Sequence, residues 1–142
     1  MSCYLDSSVY FSLYVTDSNT PAAISKSRKA ARPLLCADFA ELEFVNALSL
    51  RLFRRELTTS EVKQVLALFG QDLAAGTFRY APIPSASFRR ARDIARQHTP
   101  SLGTRSLDIL HVASALALGA TQIITFDERQ AKLASAVGLR VL

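Results

Sequence analysis

The stretch IITFDER, Ile123 to Arg129, sets a short apolar run against an acid. An unalternating apolar run is how a strand reads when both faces of its sheet are covered, the usual state of a parallel sheet. The same signature opens the chain in YLDSSVY, Tyr4 to Tyr10, where Asp6 directly follows Cys3–Leu5. Working outward gives five candidate strands: Cys3–Leu5, Leu34–Ala37, Phe78–Ala81, Gln122–Thr125 and Arg140–Leu142. Longer helical stretches separate them, so the chain is expected to be an α/β domain with a central parallel sheet.

The helices carry their own punctuation. Asp38 with Glu41 three residues on has the form of a capping box and opens a helix expected to reach about Glu56. Thr58 with Glu61 opens a second, through about Ala75, which Gly76 stops. A further helix is expected over Ser87–Gln97, followed by a loop holding Pro100 and Gly103. TRSLDILHVASAL, Thr104 to Leu116, then reads as a buried helix ended by Gly119, with Asp108 and His111 breaking its otherwise apolar or small run.

At 142 residues and 49% hydrophobic content, the chain suits one compact domain with a substantial core. A net charge of +5 favours an anionic partner such as nucleic acid or an acidic protein. Cys3 and Cys36 lack CxxC or His spacing and are expected to be buried free thiols, as in a reducing compartment. Ile109–Ala120, the longest apolar stretch, contains His111 and is too short to cross a bilayer. With no basic leader before Asp6, a cytoplasmic protein without a membrane association is expected.

Ligand crevices of open parallel sheets lie outside the carboxyl ends of the strands. Asp6 and Asp127 each follow a strand and fall at that edge. Glu43, in AELEFVNAL, lies early in the helix after the second strand, and Asp108 lies early in the helix leading to the fourth. Taken singly, Asp6, Asp108 and Asp127 also read as helix caps or turn residues, and Glu43 as a solvated helix acid. Taken together they imply a counter-charge, because two carboxylates about 5 Å apart repel by roughly 3 kcal/mol at an effective dielectric near 20. Oxygen ligands without His or Cys spacing suit Mg²⁺ or Mn²⁺. Such a site serves phosphodiester hydrolysis: the cation activates a water and offsets charge on the phosphate and leaving oxygen.

YLDSSVY, ELEFVNAL, RSLDILHVASAL and IITFDER, in that order and spacing, resemble the PIN-domain ribonucleases, and within them the VapC-type toxins of bacterial toxin–antitoxin pairs. The resemblance covers essentially the whole chain. It implies a three-layer α/β/α fold with a central parallel sheet, Mg²⁺- or Mn²⁺-dependent cleavage of RNA, inhibition by a cognate antitoxin protein, and a homodimer. Its acidic positions fall on Asp6, Glu43, Asp108 and Asp127. Glu43 rather than Glu41 is the family's acid, since it stands three residues before Asn-Ala-Leu, and Glu41 is left as the partner of the Asp38 cap. Ser7 and Thr125 are expected to orient carboxylates or water from behind. Asn46, on the same helix face as Glu43, either supports that carboxylate or pairs locally.

His111, among Leu110, Val112 and Ala113, is expected to be a core or supporting histidine rather than a base. Arg105, beside the acids, is a candidate phosphate contact. The runs Arg51, Arg54, Arg55 and Arg89, Arg90, Arg92, Arg96 offer diffuse attraction for an RNA backbone. Two readings of other classes stand beside a nuclease. A phosphoryl-accepting signalling domain resembles a pattern with adjacent acids after the first strand, where this chain has only Asp6 before Ser7 and Ser8. A catalytically silent binding module would have no need of all four acids.

Overall fold

The computed structural model describes residues 1–142. Strands β1 (Cys3–Leu5), β2 (Leu34–Ala37), β3 (Arg79–Ala81), β4 (Gln122–Ile124) and β5 (Arg140–Val141) form one wholly parallel sheet in the order β3-β2-β1-β4-β5. Each end strand presents an exposed arginine, Arg79 or Arg140, and charge at a sheet edge discourages pairing with another chain. The centre is apolar: β1 and β2 are buried throughout, as their unalternating sequences require.

Helices α1 (Ser7–Tyr14), α2 (Thr20–Lys29), α3 (Asp38–Phe53), α4 (Thr59–Ala74), α5 (Ala86–Leu102), α6 (Ser106–Ala117) and α7 (Glu128–Ala136) complete a three-layer α/β/α arrangement. One helical layer is locked by aromatic rings. Tyr10 of α1 stands edge-on to Phe69 of α4 and to Phe78, with ring centres 5.7 and 5.3 Å apart, and Phe44 of α3 meets Phe69 at 5.1 Å. Such contacts add about 0.5–1.5 kcal/mol each beyond the area they bury. The buried Tyr10 hydroxyl donates to the Leu35 carbonyl, so α1 is also tied to β2. Both cysteines are free and buried, and no helix is long and apolar enough to cross a membrane.

The strand positions expected from sequence hold to within a residue at each end. Three helix readings do not. Helix α3, expected to reach about Glu56, stops at Phe53, and Arg55 at φ +60 turns the chain away. The Asp38–Glu41 capping box does not form: α3 begins at Asp38 itself, with Ala37 as its cap residue. The Ala37↔Ala81 register brings the chain after β3 alongside, and Asp38 Oδ1 accepts the N–H groups of Phe39 (2.8 Å) and Ile83 (3.2 Å) instead. The second capping box, Thr58 with Glu61, is formed in full. Helix α5 does not stop at Gln97 but continues through Pro100 to Leu102. Pro100 has no N–H to return to the Arg96 carbonyl, and packing of α5 along α6 overrides that loss. Gly103, at φ +62, makes the stop: its N–H returns to the Thr99 carbonyl, and the Thr99 and Thr104 hydroxyls meet at 2.9 Å.

Candidate metal centre

The chain lays down β1, β2 and β3 to one side and then returns to place β4 and β5 on the other, so the order reverses between β1 and β4. A crevice opens at the carboxyl ends of strands at such a reversal. Asp6 follows β1 and caps α1: its Oδ1 accepts the Ser8 N–H at 2.5 Å. Asp127 follows β4 and caps α7, where its Oδ1 accepts the Gln130 N–H at 2.8 Å. Asp108 lies in the first turn of α6, and Glu43 in the second turn of α3. All four acids line one cleft of about 330 Å³, together with Arg105 and His111.

Within that cleft the acids are held by different devices. Thr125 Oγ1 lies 2.5 Å from Asp6 Oδ2 and 2.6 Å from Gln130 Oε1. A hydroxyl has one proton, so Thr125 donates to one of these acceptors at a time and its lone pairs take the Asp127 N–H at 3.1 Å. One small side chain thereby links the loop ends that carry Asp6 and Asp127.

Arg105 spans the other two sides. Its Nε donates to Asp108 Oδ2 at 3.1 Å and its Nη2 to Asp127 Oδ2 at 3.3 Å. The hydrogen bond and charge of Asp108, then the charge of Asp127, raise the guanidinium pKa further. With 70% of its side chain exposed, Arg105 is a screened and replaceable counter-ion. No three acid, histidine or cysteine side chains are already gathered into a cage that could hold an ion. The acids share a cleft; they are not drawn tightly together.

Glu43 is fixed from beneath. The Tyr4 hydroxyl, on β1, donates to His111 Nδ1 at 2.9 Å, and His111 Nε2–H donates to Glu43 Oε1. The Nε2–H tautomer of the ring satisfies both bonds at once. Burial, then the nearby charge of Asp6, pushes the Tyr4 phenol well above its ordinary range, so it stays a proton donor. The Phe39 ring closes over the imidazole with centres 4.3 Å apart. His111 is thus a buried supporting residue, as expected.

Glu41 does not line the cleft. It faces Tyr80 on β3, whose phenol is raised by partial burial and by the Glu41 carboxylate beside it. Ser7 lines the cleft without a side-chain hydrogen bond of its own, and Asn46 is exposed and makes no hydrogen bond to Glu43. Two contributors escaped the sequence reading. Tyr4 looked like one more strand residue, and nothing local marks its partner 107 positions away. Gln130 is buried and reaches the Asp108 carbonyl through Nε2 at 3.4 Å. Its signal was present: Asp127 followed three residues on by Gln130 is a helix-start pattern.

An all-oxygen donor set on an open rim fits a hard divalent cation that keeps part of its water, as Mg²⁺ and Mn²⁺ do. Fold and cleft together define a class, an α/β/α domain with an acidic crevice at the reversal point of a parallel sheet. The model of the PIN domain family matches residues 3–136, and the chain belongs to that family of nuclease-type hydrolases. None of the curated proteins matches its sequence. Among solved structures, it is similar to FitAcB from Neisseria gonorrhoeae, with a TM-score of 0.69, 14% identity and coverage of 99% of this chain and 96% of that one. VapBC2 from Rickettsia felis, bound to a DNA fragment from its promoter, gives 0.69 at 13% identity, covering 100% and 98%. VapBC-5 from Mycobacterium tuberculosis, a member of the VapBC family of toxin–antitoxin systems, gives 0.61 at 17% identity, covering 99% and 97%. At these identities the likeness is one of fold.

Proposed function

We propose that this chain is a single PIN unit acting as an Mg²⁺- or Mn²⁺-dependent endoribonuclease, the VapC-type toxin of a type II toxin–antitoxin pair. The observation that carries this reading is four carboxylates, from widely separated parts of a PIN-family chain, lining one cleft at the sheet's reversal point. Asp6, Glu43, Asp108 and Asp127 are the residues that would hold the cation. When bound, the cation lowers the pKa of a coordinated water and offsets charge on the scissile phosphate.

The remaining side chains act on the acids or the substrate. Thr125 orients Asp6, and His111, backed by Tyr4, orients Glu43. Arg105, when a cation takes over its partners, is free to meet an RNA phosphate with its planar fork. The basic surface, with net charge +5, draws RNA in. The toxin–antitoxin complexes among the similar structures support a cognate antitoxin as partner. A homodimer and a cytoplasmic site of action complete the reading.

The test is cleavage of single-stranded RNA with and without Mn²⁺ by the wild-type chain and by Asp6→Asn and Asp108→Asn. Both variants keep the fold by circular dichroism and lose divalent-dependent cleavage. Undiminished cleavage in either rejects the assignment.

A further inference from the structure

A second cleft adjoins the acidic one. It occupies about 350 Å³ between α1 and α3 and shares Ser7, Ser8 and Glu43 with it, so the two are continuous. Along α3, Glu43, Ala47 and Arg51 stand four residues apart on one face, carrying the groove about 12 Å from the acids at 1.5 Å per residue. Small residues floor its middle and a cation closes its far end. Opposite, α1 supplies Phe11 and Ser12.

Arg51, with 45% of its side chain exposed, is braced at this end by two contacts. Its guanidinium lies 5.0 Å above the buried Phe11 ring, and Nη1 donates to Glu56 at 2.7 Å. That leaves the other N–H groups of a rigid five-donor fork available to a second anion. The acid on this wall, Asp17, has its carboxylate engaged by the Ser12 hydroxyl and the Asn19 N–H, both at 2.8 Å. At the junction of the clefts the Ser8 hydroxyl has no hydrogen-bond partner in the chain.

We propose that this groove is a substrate subsite for single-stranded RNA, seating the nucleotide next to the scissile one with its phosphate on Arg51. The inference rests on the ribonuclease reading above and gives that reading a direction for the strand path. Seven of the nine lining residues are polar, which suits sugar and phosphate, whereas a docked peptide takes its affinity from apolar anchors. Arg51 here is a binding residue for the flanking phosphate, remote from the bond that breaks.

The test compares wild type with Arg51→Ala, Arg51→Lys and Ala47→Tyr, the last filling the groove while keeping the Arg51 side chain. Binding of a fluorescein-labelled single-stranded RNA is followed by anisotropy in EDTA over a series of salt concentrations, and cleavage kinetics are measured separately in Mn²⁺. Arg51→Ala is expected to weaken binding about tenfold and to shrink the slope of log affinity against log salt by about 0.7, the value of one single-strand phosphate contact. In cleavage the loss is carried by KM, Arg51→Lys keeps the salt slope, and Ala47→Tyr, by keeping the nucleotide out of the groove, weakens binding and shrinks the slope as Arg51→Ala does. Equal RNA affinity in wild type, Arg51→Ala and Ala47→Tyr, the outcome for a groove serving a peptide, overturns the subsite while leaving the ribonuclease reading standing. RNA neither bound in EDTA nor cleaved in Mn²⁺ by any of the four proteins overturns both.

Discussion

His111 holds Glu43 from below, ring nitrogen to carboxylate oxygen, across 68 residues of sequence. The imidazole is in turn fixed by Tyr4, so the position of one cleft acid is set by two buried side chains that never reach it from solvent. His111→Ala leaves the Tyr4 hydroxyl without its partner in the core and opens a cavity. An unfolding free-energy loss of about 2–4 kcal/mol is expected, read from the urea midpoint. Cleavage is expected to fall about 10- to 100-fold, as when outer supports of metal ligands are removed. His111→Gln, able to donate at a similar reach, should recover part of the rate.

Asp6 separates two roles by substitution. Asn caps a helix about as well as Asp, while Ala does not, so Asp6→Ala should cost about 1 kcal/mol more than Asp6→Asn in thermal unfolding. Both should be equally inactive. Stability that differs between them while activity does not identifies the Ser8 N–H contact as structural and the carboxylate charge as functional.

Arg105 competes with any cation for Asp108 and Asp127. Arg105→Ala should therefore tighten Mn²⁺ binding about three- to tenfold in calorimetric titration at low salt, with the difference shrinking as salt rises. RNA affinity should move the other way.

The two thiols give a pH signature. Burial pushes Cys3 up to about 12 and Cys36 up to about 11, from an ordinary value of 9.0. Above pH 9 the unfolded chain releases these protons and the folded chain keeps them, so stability falls as pH rises from 9 toward 11. Denaturant unfolding at stepped pH checks the slope, and Cys3→Ser with Cys36→Ala should reduce it between pH 9 and 10, above which the buried phenols of Tyr4 and Tyr10 add a slope of the same sign. At neutral pH neither thiol should react with a disulfide reagent until the chain unfolds.

What the sequence made legible follows from burial. Strands covered on both faces leave unbroken apolar runs, which is why β1 and β2 were bounded to the residue. Asp6 and Asp127 were legible because each stands where a strand must end. Helices α1 and α2 were not drawn from the pattern: SSVYFSLY is buried on so much of its surface that its period is masked, and α2 is short and Ser-rich. The end of α5 was misplaced because a proline rule of local chemistry yielded to packing against α6. Glu41 and Asp38 looked like a cap because spacing alone cannot reveal that parallel register delivers the Ile83 N–H to Asp38. Tyr4 was illegible for the same reason: its partner is near only after folding.

Asp6 and Asp127 share one more habit, each spending Oδ1 on the backbone of the helix it begins and turning Oδ2 inward, toward Thr125 and Arg105 respectively. One atom of each side chain maintains the scaffold while its twin lines the cleft. A lineage released from selection for cutting would still be held at these positions by folding, and would drift there to asparagine or serine well before it reached an apolar residue. On the proposed function, a relative carrying such replacements at both places would be a retired enzyme, its architecture kept by the half of each carboxylate that serves the helix.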